Sequence, residues 1–251
     1  MVVIGIASGK GGVGKTTVTS NLATALKQVF NRNVVVLDCN ITSSHIRLHF
    51  GMYEDFKKTL PDVVKGKSSF SKATYSDEIT GVKIVPSSPE LTQEVNLKKL
   101  KSLVWDTAKS EYDFVIIDSA PGFGSNVINV MKASDKLLIV TNPNIPDVTD
   151  AIKIVELAKK MKKEVHVVLN KVSGEKYELK EDKVKELFDV PITMVIPEDK
   201  KVPESISAGV PTVIYSKGSN ASIAFKKLAA SLIGEEYKPS LSDRVKWFLG
   251  F

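Results

Sequence analysis

The sequence predicts an α/β fold, a mostly parallel, twisted sheet with helices on both faces. Three observations predict it. Short β-branched runs alternate along the chain with longer helical patterns. The first of these runs passes through a glycine-rich loop straight into a helical pattern, as a parallel strand–helix unit requires. The 251 residues, 43% hydrophobic and 25% charged, are enough to bury a core without disulfides or metals.

The elements follow in order. Val2–Ala7 is apolar and has no cleavage region, so it reads as a first strand rather than a signal peptide. A helix is expected over Thr16–Phe30, then strands over Val34–Leu37 and Val82–Val85. A helix over Leu97–Ser110 precedes a strand over Phe114–Ile117 and another over Lys136–Val140. The last third alternates a helix (Val148–Met161), strands over Val165–Leu169 and Ile192–Ile196, and a helix over Ser219–Ile233. Lys159, Lys160, Lys162 and Lys163 read as the wet face and end of one of these helices, where cations suit the helix dipole. Ligands of such sheets bind at the carboxyl ends of the strands. Glu235–Ser240 reads as a linker, dividing the chain into a domain over 1–234 and an appendage over 235–251. No internal repeat or low-complexity segment is present, and no apolar run approaches the roughly 18–20 residues that span a membrane.

Thirty-five Lys and Arg against 29 Asp and Glu leave a net charge of +6, which points to an anionic partner, either nucleic acid or an acidic membrane surface. Cys39 is the one cysteine. It excludes a disulfide framework and a cysteine cluster for zinc or iron–sulfur, and it fits a reducing, cytoplasmic setting. The residue itself reads as a small core side chain.

"SGKGGVGKTT", Ser8 to Thr17, fits the phosphate-loop pattern Gly9-x-x-x-x-Gly14-Lys15-Thr16 and lies between a strand and a helix, where that pattern must lie. Gly9, Gly11, Gly12 and Gly14 let the backbone, including that of Val13, approach phosphates at the positive end of the helix that begins near Thr16 and Thr17. Lys15 would reach the β- and γ-phosphates, and the Thr16 hydroxyl would bind Mg²⁺. Lys10 is a second lysine that this cradle does not need, and its place at the loop's start would let it serve a phosphate across an interface.

"KGGVGKTT" resembles the deviant Walker A motif of the MinD/ParA family of P-loop ATPases, in which the early lysine reaches into the partner subunit's ATP. The resemblance covers nearly the whole chain. "VVVLDCNIT" (Val34–Thr42) is similar to the family's switch I, and "FVIIDSAPGF" (Phe114–Phe123) to switch II, whose Asp118 would hold Mg²⁺ through water. "VTNPNIPDVTDA" (Val140–Ala151) and "VIPEDKKVPESISAGVP" (Val195–Pro211) are closer to the MinD-like members, archaeal or bacterial. The resemblance implies ATP and Mg²⁺ as ligands, a metal set of Thr16, Asp38 and Asp118, and an ATP-sandwich homodimer that positions other proteins. Asn170-Lys171-Val172-Ser173 begins like the guanine-reading motif of GTPases but has Ser173 where the guanine-binding aspartate would stand. Adenine is therefore favoured. By resemblance Asn170 and Pro197, Glu198 and Asp199 would wall the base, though Asn170 also fits a strand-end cap.

One position departs from the family pattern. Switch I ordinarily carries two aspartates one residue apart, and the second helps position the hydrolytic water. Here the run is Asp38, Cys39, Asn40. An amide is nearly isosteric with a carboxylate but accepts no proton and carries no charge. The catalytic set is thus Lys10, Lys15 and Asn40, with hydrolysis expected to be impaired. Either this is a slow natural switch or the residue was substituted to trap bound ATP.

"PSLSDRVKWFLGF" closes the chain. At about 100° per residue, Leu241, Val245, Phe248 and Leu249 share one helical face, Trp247 and Phe251 flank it, and Arg244 lies at its edge, where it could snorkel to lipid phosphates. This resembles the membrane-targeting helix that ends MinD proteins and implies peripheral attachment to an anionic membrane on its cytoplasmic side; a terminal helix packed on the core is the other reading. The alternative function is a ParA-like, DNA-binding partition or cargo-positioning ATPase. An iron–sulfur carrier would need a Cys-x-x-Cys that the chain lacks, and a pseudo-enzyme clamping a dimer with ATP stays open because of Asn40. The activator or cargo protein is not legible.

Overall fold

Valine and isoleucine crowd the strands because branched side chains pack well on a pleated, buried surface. The structure, a computed structural model, describes residues 1–41, 44–88, 95–109 and 111–239. The tail residues expected at the membrane (Leu241, Arg244, Val245, Trp247, Phe248 and Leu249) lie outside the described residues, as do Thr42 and Ser110.

In chain order the elements are β1 (Val2–Ala7), α1 (Lys15–Gln28), β2 (Val34–Cys39), α2 (Ile46–His49), α3 (Leu60–Val64), β3 (Tyr75–Ser76) and β4 (Lys83–Val85). Then come α4 (Leu100–Ala108), β5 (Phe114–Ser119), α5 (Ser125–Ala133), β6 (Lys136–Thr141), α6 (Ile145–Lys160) and β7 (Glu164–Val172). The chain continues through α7 (Glu181–Leu187), β8 (Ile192–Pro197), α8 (Lys201–Ser207), α9 (Thr212–Tyr215) and α10 (Asn220–Ile233). Among the described residues the eight strands form one sheet in the order β3-β4-β2-β5-β1-β6-β7-β8. Every neighbouring pair is parallel except β3 and β4.

This order positions the site. The chain fills one side of β1 with β2 to β5 and then crosses to fill the other with β6 to β8. The loop after β1 therefore stands where the winding reverses, the place where open α/β sheets bind ligands. Alternating side chains of the strands feed both faces. Ile4 and Ile6 pack with Leu22 of α1 and Phe225 and Leu228 of α10. On the other face Val3, Leu37 and Val115 pack with Leu100 and Val104 of α4, and Leu137 and Ile139 with Val148 and Ile154 of α6. Gly5 has no room for a side chain, since a Cβ there would collide with Ser134.

Several boundaries differ from the sequence expectation. β2 and β5 run on to Cys39 and Ser119, so Asp38 and Asp118 are strand residues held in register with each other, not loop residues. The helix expected from Val148 begins at Ile145, with Pro146 in its first turn and the Asn144 side chain accepting the Asp147 N–H. Proline preorganises a first turn rather than ending a helix there. The helix expected from Leu97 opens as a 3-10 turn over Leu97–Lys99. Lys163, read from sequence as a solvated lysine, donates to the Lys132 and Ser134 carbonyls at the end of α5.

Candidate functional site

The phosphate loop leaves β1 at Ser8 and enters α1 at Lys15. Two of its glycines are left-handed, Gly12 at φ 80° and Gly14 at φ 97°, a conformation that L side chains resist. Close approach explains Gly9, where a Cβ would come within 2.5 Å of Asp150 on α6. Gly11 and Gly12 are exposed, and a Cβ on Gly12 would meet nothing within 4 Å, so the outer rim of the loop is open. Gly122 of the loop after β5 donates its N–H to the Ser8 carbonyl at 2.9 Å, tying the two loops together.

The two lysines have different surroundings. Lys15 is 6% exposed; its Nζ donates to the Ser8 Oγ at 2.9 Å, and that hydroxyl donates to the Lys10 carbonyl at 2.6 Å. Burial lowers the Lys15 pKa, against the opposing pull of the Asp118 carboxylate. A buried ammonium held by a hydroxyl is poised to receive an anion. The Lys10 side chain is 38% exposed and forms an ion pair with Asp147 on α6 at 3.3 Å. Asp147 is itself fixed by the amides of Asn142 and Asn144. Lys10 therefore stands on the rim, outside the buried cradle.

The expected metal ligands converge. The Thr16 hydroxyl donates to Asp118 Oδ2 at 2.7 Å, and Thr19, one turn on, donates to Oδ1 at 3.2 Å. Asp38 accepts the Asn40 N–H at 3.0 Å and the Ser44 hydroxyl at 2.6 Å. Burial, and then the charge of Asp118, push the Asp38 carboxyl up to about 8, against the hydrogen bonds from Ser44, Asn40 and Ser87. Burial likewise raises Asp118, opposed by Thr16, Lys15 and Thr19. Two buried carboxylates side by side repel until a cation neutralises them. Among the described residues no cluster of three or more His, Cys, Asp or Glu could hold a metal alone. A pair of carboxylates and a hydroxyl instead fits Mg²⁺, which takes one or two carboxylates and completes its shell with water and phosphate oxygens.

On the base side, Asn170 is buried and its Nδ2 donates to the Val13 carbonyl at 2.8 Å. The contact needs Gly14, where a Cβ would collide with the Asn170 amide. In this structure Asn170 therefore braces the loop, a role that sequence reasoning did not foresee. Pro197 pairs with Val172 beside it, and the Glu198 N–H donates to the Val172 carbonyl at 2.9 Å. The Asp199 carboxylate accepts N–H groups of Lys201 and Ala221 at 2.9 and 3.1 Å, a helix-capping role that sequence reasoning did not foresee. Thr17 offers its carbonyl to Ser20 and Asn21. Sequence reasoning also missed Ser8, Thr19, Ser44 and Asp147. Only Thr19 left a signal, three residues after Thr16 on the same helical face.

A cavity of about 640 Å³, lined by Val3, Lys98, Trp105 and Asp135 among others, opens at the amino ends of the strands. The converging lysine, hydroxyls and carboxylates lie at the opposite, carboxyl ends, and these locate the site.

Comparisons with known proteins show the family and the fold that this chain resembles. A family model described as ParA: NUBPL iron-transfer P-loop NTPase matches residues 1–233. An uncharacterized ATP-binding protein of Methanocaldococcus jannaschii is 34% identical over 252 residues, which cover 99% of this chain and 94% of that protein. The crystal structure of the Pyrococcus furiosus cell division ATPase MinD superposes with a TM-score of 0.86 at 32% identity, covering 93% of this chain and 98% of that one. The septum site-determining protein MinD of Pyrococcus horikoshii OT3, complexed with Mg-ADP, superposes with a TM-score of 0.85 at 32% identity, covering 92% and 95%.

Proposed function

The chain belongs to the ParA family of P-loop NTPases, and from that premise we propose that it is a MinD-like ATPase that forms an ATP-sandwich homodimer, attaches peripherally to membrane and positions other proteins. It is an ATPase using ATP and Mg²⁺. One observation carries the finer reading: Lys15 is buried against Ser8 inside the loop while Lys10 stands half-exposed on its rim. Lys10 is therefore available to phosphates bound by a second copy once it exchanges Asp147 for them. Phe123 in the loop after β5 and Ile145 at the start of α6, 43% and 66% exposed, flank this rim and supply apolar surface for such a contact.

The residues divide the work. Lys15, preset by Ser8, neutralises phosphate charge inside the chain. Thr16, Asp38 and Asp118 would hold Mg²⁺, which when bound draws charge from the phosphate oxygens. Asn40 sits beside Asp38 as a neutral group where the family pattern has a carboxylate. It orients by hydrogen bonding but takes no proton, so turnover is slow and the ATP dimer long-lived. Asn170 and the Pro197–Asp199 loop border adenine. Residues 1–234 form the ATPase unit and 235–251 the tail. Complete burial of one large apolar side chain is worth about 1.5–3 kcal/mol, but interfacial burial is partial, so one tail binds marginally, as a single lipid chain does. Two tails on one dimer bind with an avidity gain of about 10²-fold or more. Iron transfer, named in the family description, finds no ligand pair here, because Cys39 is the one cysteine of the sequence and is buried in the core.

Light scattering behind size exclusion tests the dimer. The chain is expected to be dimeric in Mg-ATP and monomeric in Mg-ADP. Lys10→Ala should be monomeric in both while still binding ATP by titration calorimetry. An undiminished ATP dimer in Lys10→Ala would remove the role across the interface.

A further inference from the structure

Asn170 and Lys171 are adjacent in β7, and in a regular strand they would point to opposite faces of the sheet. They do not. The pairing of β7 with β8 shifts register between Leu169 and Val172, and Lys171 adopts a left-handed backbone at φ 55°. Such an irregularity re-aims side chains, and here both address the phosphate loop. Asn170 Nδ2 donates to the Val13 carbonyl at 2.8 Å and Lys171 Nζ to the Gly12 carbonyl at 2.9 Å. The two contacted carbonyls are consecutive.

A trans peptide unit is planar, so its C=O and N–H point in opposite directions. The Gly12 carbonyl shares a unit with the Val13 N–H, and the Val13 carbonyl shares one with the Gly14 N–H. Holding both carbonyls toward β7 turns two successive N–H groups the other way, into the loop's concavity. The left-handed φ of Gly12 and Gly14 gives the loop the nest-like form that gathers N–H groups on an anion.

We infer that Lys171 is a positioning residue for the nucleotide: with Asn170 it clamps the carbonyl side of the phosphate loop, so that the Val13 and Gly14 N–H groups face the phosphates before nucleotide arrives. The inference rests on the ATP-binding reading above and deepens it. Its ammonium also polarises the Gly12–Val13 peptide, which strengthens that N–H as a donor. The backbone does not explain a lysine here, because a left-handed residue is better served by glycine. The side chain does, through its bond to Gly12.

Two variants of the full chain separate this role from a merely structural one. Lys171→Gly removes the clamp and relieves the backbone; Lys171→Met removes the donor and keeps the left-handed side chain. Titration calorimetry with Mg-ADP and Mg-ATP should show both variants binding both nucleotides about five- to tenfold more weakly than the parent, the effect of losing a charge-assisted hydrogen bond. Thermal melting should move them apart, with Lys171→Gly at or above the parent Tm and Lys171→Met at or below it. Affinity within twofold of the parent in both variants would overturn the clamp. So would affinity that tracks the melting temperatures, because that is the signature of a structural residue. A parent chain that bound neither nucleotide would overturn the proposed function itself, and the clamp with it.

Discussion

Lys15→Ala is expected to lose Mg-ATP binding by roughly 10²–10³-fold, the largest affinity effect of any single change in the site. The Lys15 ammonium is buried, its one described hydrogen-bond acceptor is the Ser8 hydroxyl, and burial lowers its pKa. In a low-dielectric pocket a phosphate is the partner that makes that charge favourable. Truncating one member of a buried, hydrogen-bonded charge pair costs about 2–5 kcal/mol, and each 1.4 kcal/mol is tenfold. The folded protein should tolerate the change better than the complex does, because removing the lysine also removes a desolvated charge. Titration calorimetry measures the affinity and a melting curve measures the fold. Unchanged ATP affinity in a folded variant would sink the phosphate-loop assignment.

Asn40→Asp is expected to raise ATP turnover by about 10²–10⁴-fold, the usual worth of a positioned proton acceptor, and to shorten the life of the ATP dimer. Asn40 is buried, and its N–H is bonded to the Asp38 carboxylate. A new carboxylate there would sit beside Asp38, whose own pKa already stands at about 8. A carboxylate there can accept the proton that the Asn40 amide cannot, and a further buried carboxyl beside Asp38 and Asp118 adds desolvation and repulsion to the metal-free site. The same repulsion should lower the Mg²⁺-free protein's thermal stability, and Mg-nucleotide should restore it. Phosphate release at saturating Mg-ATP, with vesicles present, reads the rate on both forms. Equal steady-state rates with a pre-steady-state burst in Asn40→Asp would place the slow step after chemistry. Equal rates without a burst would overturn the assignment of Asn40.

The parts of the fold that sequence reveals are those set by local chemistry. The strands announce themselves as β-branched runs, and the glycine spacing of Ser8–Thr17 dictates a loop between β1 and α1. The short helices do not announce themselves, because α8, with seven residues, is too brief for a 3.6-residue period to register. In α5 the branched Val127, Ile128 and Val130 favour strand by propensity, and packing of Val127, Val130 and Met131 overrides it. The site divides the same way. Lys15, Thr16, Asp38 and Asp118 are legible because each lies in a contiguous motif. The Lys10–Asp147 pair and the Lys171–Gly12 bond join residues far apart in sequence, and only the register of β1, β6 and β7 brings them together. The Leu169–Val172 register shift, on which the second of these depends, has no composition signal at all.

The central claim is that ATP, by bridging two copies, turns two weak tails into one membrane anchor. The direct measurement is sedimentation of the full chain with vesicles of phosphatidylglycerol and phosphatidylcholine, in Mg-ATP and in Mg-ADP, beside Trp247→Glu. The account predicts that the parent pellets with vesicles in ATP and stays in the supernatant in ADP. Trp247→Glu, with a charge set against the apolar arc of the tail, should stay in the supernatant in ATP although it still forms the dimer. Equal pelleting of the parent in the two nucleotides, or pelleting of Trp247→Glu with the parent, would contradict it.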